Sequence, residues 1–364
     1  MKFVEEYRDP ELGKKLLERI HRHSRKPARL MEFCGGHTVA IFKYGLRQLL
    51  PPNIQMLSGP GCPVCVTAAA DLDKAIALGK LPGVIITSFG DMVRVPGSRS
   101  SLQKAKAEGS DVRIVYSAQD ALTIAGENPK KSVVFIGIGF ETTAPTIAAA
   151  VLQAEKESIK NFYVLSLHKI CPPIMKAILD RGEVRLDGII CPGHVSAVIG
   201  SRPYEFLAKD YHIACAVSGF EPLDILMAVD MLVEQIESGE PKVEIAYRRG
   251  VKEGGNPAAL KLMDTVFEIA TADWRGIGTV PASGLRIKKE FEHFDAEKRF
   301  NIKVHPAKEP EGCICGAVLR GVSTPLDCKL FRKICTPESP VGPCMVSSEG
   351  SCATYYEYEG TNDK

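Results

Sequence analysis

A chain of 364 residues, 45% apolar and 25% charged, has material for two or three packed domains. Its formal net charge of +2 excludes the strongly basic footprint of a nucleic-acid or acidic-membrane binder. No run of about 18 apolar residues is available to span a bilayer.

Twelve cysteines stand out against this ordinary background. The opening segment MKFVEEYRDPELGKKLLERIHRHSRK reads as a charged amphipathic helix without the apolar core of a signal peptide. A cytoplasmic location is therefore expected. Thiols stay reduced there, so clustered cysteines point to metal or redox chemistry rather than to structural disulfides.

From Arg29 to Leu226 one unit recurs: a short apolar run, a Gly-, Ser- or Pro-rich turn, then a helical pattern. The runs are ARLMEFCGGHT, IQMLSGPGCPVC, GVIITSFGD, VRIVYSAQD, SVVFIGIGFETT, FYVLSLHKICPP, LDGIICPGH and IACAVSGFEP. Continuous apolar runs alternating with helices predict parallel strands covered on both faces. The predicted fold is α/β, with two similar parallel-sheet domains and a small C-terminal iron–sulfur module. Residues 1–126 would hold the N-terminal helix and first α/β domain, and residues 127–240 the second. The turn GENPKK at Gly126–Lys131 marks the seam. Residues 241–364 read as charged helices followed by the cysteine module.

The chemistry-bearing residues of these units are expected just after strands, where open α/β sheets bind ligands. They are Cys34, His37, Cys62, Cys65, Asp91, Glu141, Thr142, His168, Cys171, Cys191, His194 and Glu221. Cys62-Pro63-Val64-Cys65 can close a disulfide, and the following VTAAADLDKAIALG reads as a helix whose N-terminus would favour a thiolate. In Cys34-Gly35-Gly36-His37 the glycines are expected to leave room for a ligand beside the sulfur. Cys34, His37, Cys62 and Cys65 together also suit a Cys3His zinc site.

The tail EPEGCICGAVLRGVSTPLDCKLFRKICTPESPVGPCMVSSEGSCA offers little to pack and six cysteines. Thiolates are soft ligands, and four of them close a set around a metal centre. The tail lacks the paired knuckles of most zinc sites, and its wider spacing suits a cluster. GIGFETT lacks the third glycine of a dinucleotide fingerprint, and Walker A, G-x-S-x-G and H-E-x-x-H sequences are absent.

The set EFCGGHT, GPGCPVC, SFGDMVRVPG, GIGFETTAP, LHKICPP, CPGHVSAVIG, SGFEPLDIL and the cysteine tail resembles the HypD family of [NiFe]-hydrogenase maturation factors, across essentially the whole chain. The tail is similar to the family pattern C-x14-C-x6-C-x16-C at Cys313, Cys328, Cys335 and Cys352. The resemblance implies that these four hold a [4Fe–4S] cluster and that Cys315 and Cys344 do not. It implies partnership with a HypC-type chaperone and a HypE-type cyanide donor in building an Fe(CN)2CO group. The family's functional cysteines fall on Cys34, Cys62 and Cys65. Cys34 is then the expected thiolate for that iron, and Cys62/Cys65 the expected two-electron store. His37, Asp91, Glu141 and Thr142 are the expected proton-transfer or cyanide-binding groups. A cluster-dependent thiol–disulfide reductase and a zinc-stabilised, non-catalytic protein are the competing readings.

Overall fold

The computed structural model describes residues 4–304, 307 and 309–360. Eleven strands lie among them: β1 Ala28–Glu32, β2 Ile54–Ser58, β3 Val84–Ser88, β4 Asp111–Ile114, β5 Ser132–Gly137, β6 Phe162–Ser166, β7 Gly188–Pro192, β8 Ala214–Ser218, β9 Val243–Ile245, β10 Phe267–Trp274 and β11 Gly278–Ile287. Two parallel sheets result, ordered β2-β1-β7-β8-β9 and β4-β3-β5-β6. Every residue of β3, β7 and β8 is buried, as the unbroken apolar runs require when helices cover both faces.

The two sheets are not consecutive in sequence, contrary to the expected division at residue 126. The chain leaves the first sheet after β2, builds the whole four-stranded sheet, and returns at β7, which pairs with β1. The turn at Gly126–Lys131 only joins the helix Ala118–Glu127 to β5, inside the four-stranded sheet. The connections leading to β3 and β7 look locally like any other strand–helix–strand link, so pairing, which is non-local, decides the domain.

The region after Val243 also differs from expectation. Besides the helix Pro257–Val266 and three shorter ones, Ala296–Phe300, Cys315–Leu319 and Ser351–Tyr358, it forms the antiparallel hairpin β10–β11. Isolated bridges tie this hairpin to both sheet units, Thr67 to Trp274 and Lys169 to Gly284. The tail packs more than its composition suggests. Val318, Leu319, Met345, Val346 and Tyr355 are buried in the same apolar cluster as Cys65, Trp274 and Ile136. Among the described residues no helix is long and apolar enough to cross a membrane.

Candidate functional site

Cys34 ends the turn after β1 and caps the helix Gly35–Lys43. That turn lies on the Gly59-Pro60-Gly61 turn before Cys62. Gly35 N–H donates to Gly61 O at 3.3 Å, and any side chain on Gly61 would run into the Cys34 backbone. The glycines of Cys34-Gly35-Gly36-His37 do not leave open space as expected. A side chain on Gly35 would meet Glu349, and one on Gly36 would meet the Phe220 ring at 3.0 Å. They let the tail and Phe220 close around the sulfur.

Acidic groups surround Cys34. Its N–H donates to Glu32 Oε2 at 3.0 Å, and the Thr38 hydroxyl donates to Glu32 Oε1. Burial raises the Glu32 carboxyl to about 8 and the Cys34 thiol to about 12, Glu349 adding to the latter. Glu349 is itself raised, first by loss of water and then by Asp91. Asp91 and Glu349 are exposed at the rim of this site. Asp91 also borders a cleft of about 740 Å³ shared with Arg94, Met345, Val346 and Tyr356. A half-buried thiol among carboxyls resists ionisation until a cation compensates it.

His37 is fully buried, and its Nε2 lies 3.2 Å from Ser218 O. Since a carbonyl only accepts, Nε2 carries the proton and Nδ1 is left as an acceptor, without a partner among the described residues. Burial lowers the ring to about 4, so it is neutral at physiological pH. His37 and His194 both stack on the Phe220 ring, at centroid distances of 4.7 and 4.0 Å.

Glu141 comes from the other sheet. Its Oε1 accepts from Cys171 N–H at 2.9 Å, Oε2 is buried without a partner among the described residues, and burial raises it to about 7. Both Glu141 and Cys34 act electrostatically on the buried Cys171 thiol. Thr142 is half-buried in the same turn. The hydroxyl that pins the turn is Thr143's, bonded to Ile138 O at 3.0 Å.

Cys62 caps a four-residue helix, Pro63–Val66, separate from the longer Ala69–Gly79 expected to follow it directly. Cys65 N–H donates to Cys62 Sγ at 3.3 Å. Burial pushes the Cys65 thiol up rather than down, against the expectation for a helix N-terminus, because the whole turn is buried. The Cys65 thiol stands close enough to both Cys62 and Cys344 to be perturbed by them. Cys344 in turn neighbours Cys315 and Cys352, and Cys315 neighbours Cys313, all as free thiols. A carbon placed on Gly342 would lie 2.6 Å from Cys315 Sγ and 2.7 Å from Cys313 Sγ, so the two sulfurs converge there. Cys335 Sγ accepts from Val341 N–H at 3.3 Å, and Cys328 Sγ lies 3.9 Å from Gly312 O.

Other predicted residues stand elsewhere. Cys191 lies inside β7 rather than after it, as a buried free thiol near Cys215. His168 faces a polar pocket with Asp71 and Lys169. Glu221 caps the helix Pro222–Ser238 and pairs with Arg8. The Cys3His arrangement is not formed, since the His37 ring is held by Ser218 and Phe220. No three His, Cys, Asp or Glu among the described residues converge as ligands of a single ion. Sequence reasoning missed Glu32 and Glu349. A lone acid ending an apolar strand was the signal for Glu32, and Glu349 gave none.

The family model HypD, described as "Hydrogenase formation hypA family", matches residues 11–359. The chain is 47% identical to hydrogenase maturation factor HypD of Cupriavidus necator, over 98% of this chain and 97% of that protein. It is 48% identical to HypD of Rhodobacter capsulatus, over 99% of each, and 44% identical to HypD of Escherichia coli, over 98% of each. With matches of this extent to both family model and relatives, the chain belongs to the HypD family.

Proposed function

We propose that the chain is a [NiFe]-hydrogenase maturation factor that handles iron at Cys34 and feeds electrons to that site through a file of thiols. The observation that carries this reading is the file of neighbouring thiols from Cys313 and Cys352, through Cys315 and Cys344, to Cys65 and Cys62, with the Cys313 and Cys315 sulfurs converging on Gly342 at one end and Cys65 N–H on Cys62 Sγ at the other.

Cys313, Cys328, Cys335 and Cys352 would hold a [4Fe–4S] cluster, which supplies electrons one at a time. Their sulfurs suit it: they are soft donors, and the Val341 N–H on Cys335 Sγ is the kind of hydrogen bond that stabilises a ligating thiolate. Cys315 and Cys344, neighbouring free thiols, form the next pair. A disulfide there takes two electrons and two protons to become two thiols. One of those thiols, as thiolate, reduces the Cys62–Cys65 disulfide by exchange, through a mixed disulfide for which the Cys344–Cys65 contact is poised.

The Cys62 turn touches the Cys34 turn, which puts reducing equivalents beside the iron site. There the iron carrying cyanide and carbon monoxide is cargo, built with a HypC-type chaperone and a HypE-type cyanide donor. Cys34 gives a thiolate when iron displaces its proton. Asp91 and Glu349 make the entrance acidic and so favourable to a metal cation. Glu141, protonated below about pH 7, has Oε2 free to donate toward a cyanide nitrogen. The test is the infrared spectrum of the anaerobically purified complex with the chaperone. Bands of bound CN and CO are expected, and a complex with iron but without them would defeat this reading.

A further inference from the structure

Arg275 occupies the tip of the β10–β11 hairpin, wedged between the two thiol-bearing turns. Its N–H donates at 2.9 Å to the carbonyl of Val66, the residue after Cys65. Its neighbour Gly276 lies so close on Gly316, the residue after Cys315, that neither could carry a side chain. The guanidinium is 1% exposed. Nε donates to Glu309 Oε2 at 2.8 Å and Nη1 to Pro96 O at 3.0 Å. Nη2 is buried with no partner among the described residues. Glu309 directly precedes Pro310, whose carbonyl accepts from Cys313 N–H at 3.2 Å, so the guanidinium is held against the Cys313 turn.

A buried guanidinium with one half-exposed counter-carboxylate and a spare donor is an expensive arrangement unless something anionic stands nearby. Packing alone does not require a charge at this place. The proposed ligand set supplies the anion.

We propose that Arg275 sets the electron affinity of the metal centre held by the tail cysteines. The inference rests on the cluster reading given above and deepens it. A fixed positive charge stabilises the more negative, reduced form of a cluster, and an N–H offered to its sulfurs acts in the same direction. The same residue ties the Cys62/Cys65 turn to the Cys313/Cys315 turn through its backbone, so electron donor and acceptor keep their spacing while the side chain tunes the donor. Glu309 acts in opposition, as the carboxylate that partly offsets the guanidinium.

The test uses the full chain, purified anaerobically, as wild type, Arg275→Met, Arg275→Lys and Glu309→Gln. Iron and sulfide are counted first, and each protein is then titrated with dithionite and mediators while absorbance and electron paramagnetic resonance are followed. Arg275→Met is expected to keep its iron and to become at least tenfold harder to reduce, about 59 mV for a one-electron couple. Arg275→Lys restores most of that loss. Glu309→Gln shifts the midpoint the other way, which a purely structural role for the pair would not do. A fully loaded Arg275→Met that titrates like wild type overturns the proposal, as does an unchanged or lowered midpoint in Glu309→Gln. Should Arg275→Met fail to fold, Glu309→Gln decides alone, since its carboxylate is half-exposed. A wild-type chain that takes up no iron and sulfide removes the cluster reading itself, and Arg275's assignment with it.

Discussion

The thiols of Cys65 and Cys344, from opposite ends of the chain, are close enough to perturb one another. This proximity joins the Cys62/Cys65 turn of the first sheet to the C-terminal module, and under the proposed electron route it puts Cys344 between them. Cys344→Ser is expected to keep the iron content near wild type while uncoupling the two ends. After reduction of the cluster, trapping with an alkylating agent and mass analysis should find Cys62 and Cys65 modified in wild type and still bridged in Cys344→Ser. Equal modification in both would show that electrons bypass Cys344.

The ligand assignment has its own test. Replacing Cys313, Cys328, Cys335 or Cys352 with Ala should each remove the brown absorbance and loosen the tail, because metal binding and folding are coupled in such modules. Replacing Cys315 with Ala should leave iron near wild type. The structure makes this demanding, since Cys315 and Cys313 sulfurs converge on Gly342. Iron analysis of the purified variants decides it, and loss of iron in Cys315→Ala would redraw the ligand set.

How much of this was legible from residue order can be judged from particular elements. The strand-and-turn units were readable because runs such as VIITS and VVFIG are apolar throughout and end in turns, a signal that depends on neighbours alone. The interleaving of the sheets was not, because β1 pairs with β7 only in space. The hairpin was hidden by its polar residues: Thr271 and Asp273 on the exposed face of β10, and half-buried Glu268 on the other, break its apolar pattern. In the site, Cys34, Cys62, Cys65 and the tail cysteines announced themselves by type and spacing. Glu349 did not, because its meaning comes from packing beside Gly35. Nor did Arg275, whose role depends on a turn of a hairpin that the residue pattern did not reveal.

Cys34 is expected to be the iron-holding thiolate. Cys34→Ser should preserve the fold and the tail cluster, neither of which uses that sulfur. It should abolish the CN and CO infrared bands of the complex with the chaperone, since a hydroxyl is a hard, poor donor to low-spin iron. Bands at wild-type intensity would move the site to Cys62 or Cys65. A conservative companion is Glu349→Gln, which removes charge at the rim without touching the sulfur. It should weaken iron loading several-fold while leaving band positions unchanged.

Glu141 carries a pH signature that can be read without any metal. Its carboxyl is raised from 4.5 to about 7 in the folded chain, by burial. Between those values the unfolded chain has released the proton while the folded chain still holds it. The folded state therefore binds more protons, and its stability falls as pH rises through this window. The contribution is fully present below about pH 4.5 and lost above about pH 7. Glu141→Gln should remove that slope: its amide oxygen can still accept from Cys171 N–H, and its NH2 replaces the unpartnered Oε2. At pH 8 the variant should be more stable than wild type, by up to about 3 kcal/mol if the whole shift is expressed. Near pH 4.5 the two should converge. Denaturant melts of both proteins across this range check the sign, and parallel slopes would mean that Glu141 is ionised in the folded protein and cannot serve as the proton donor of the site.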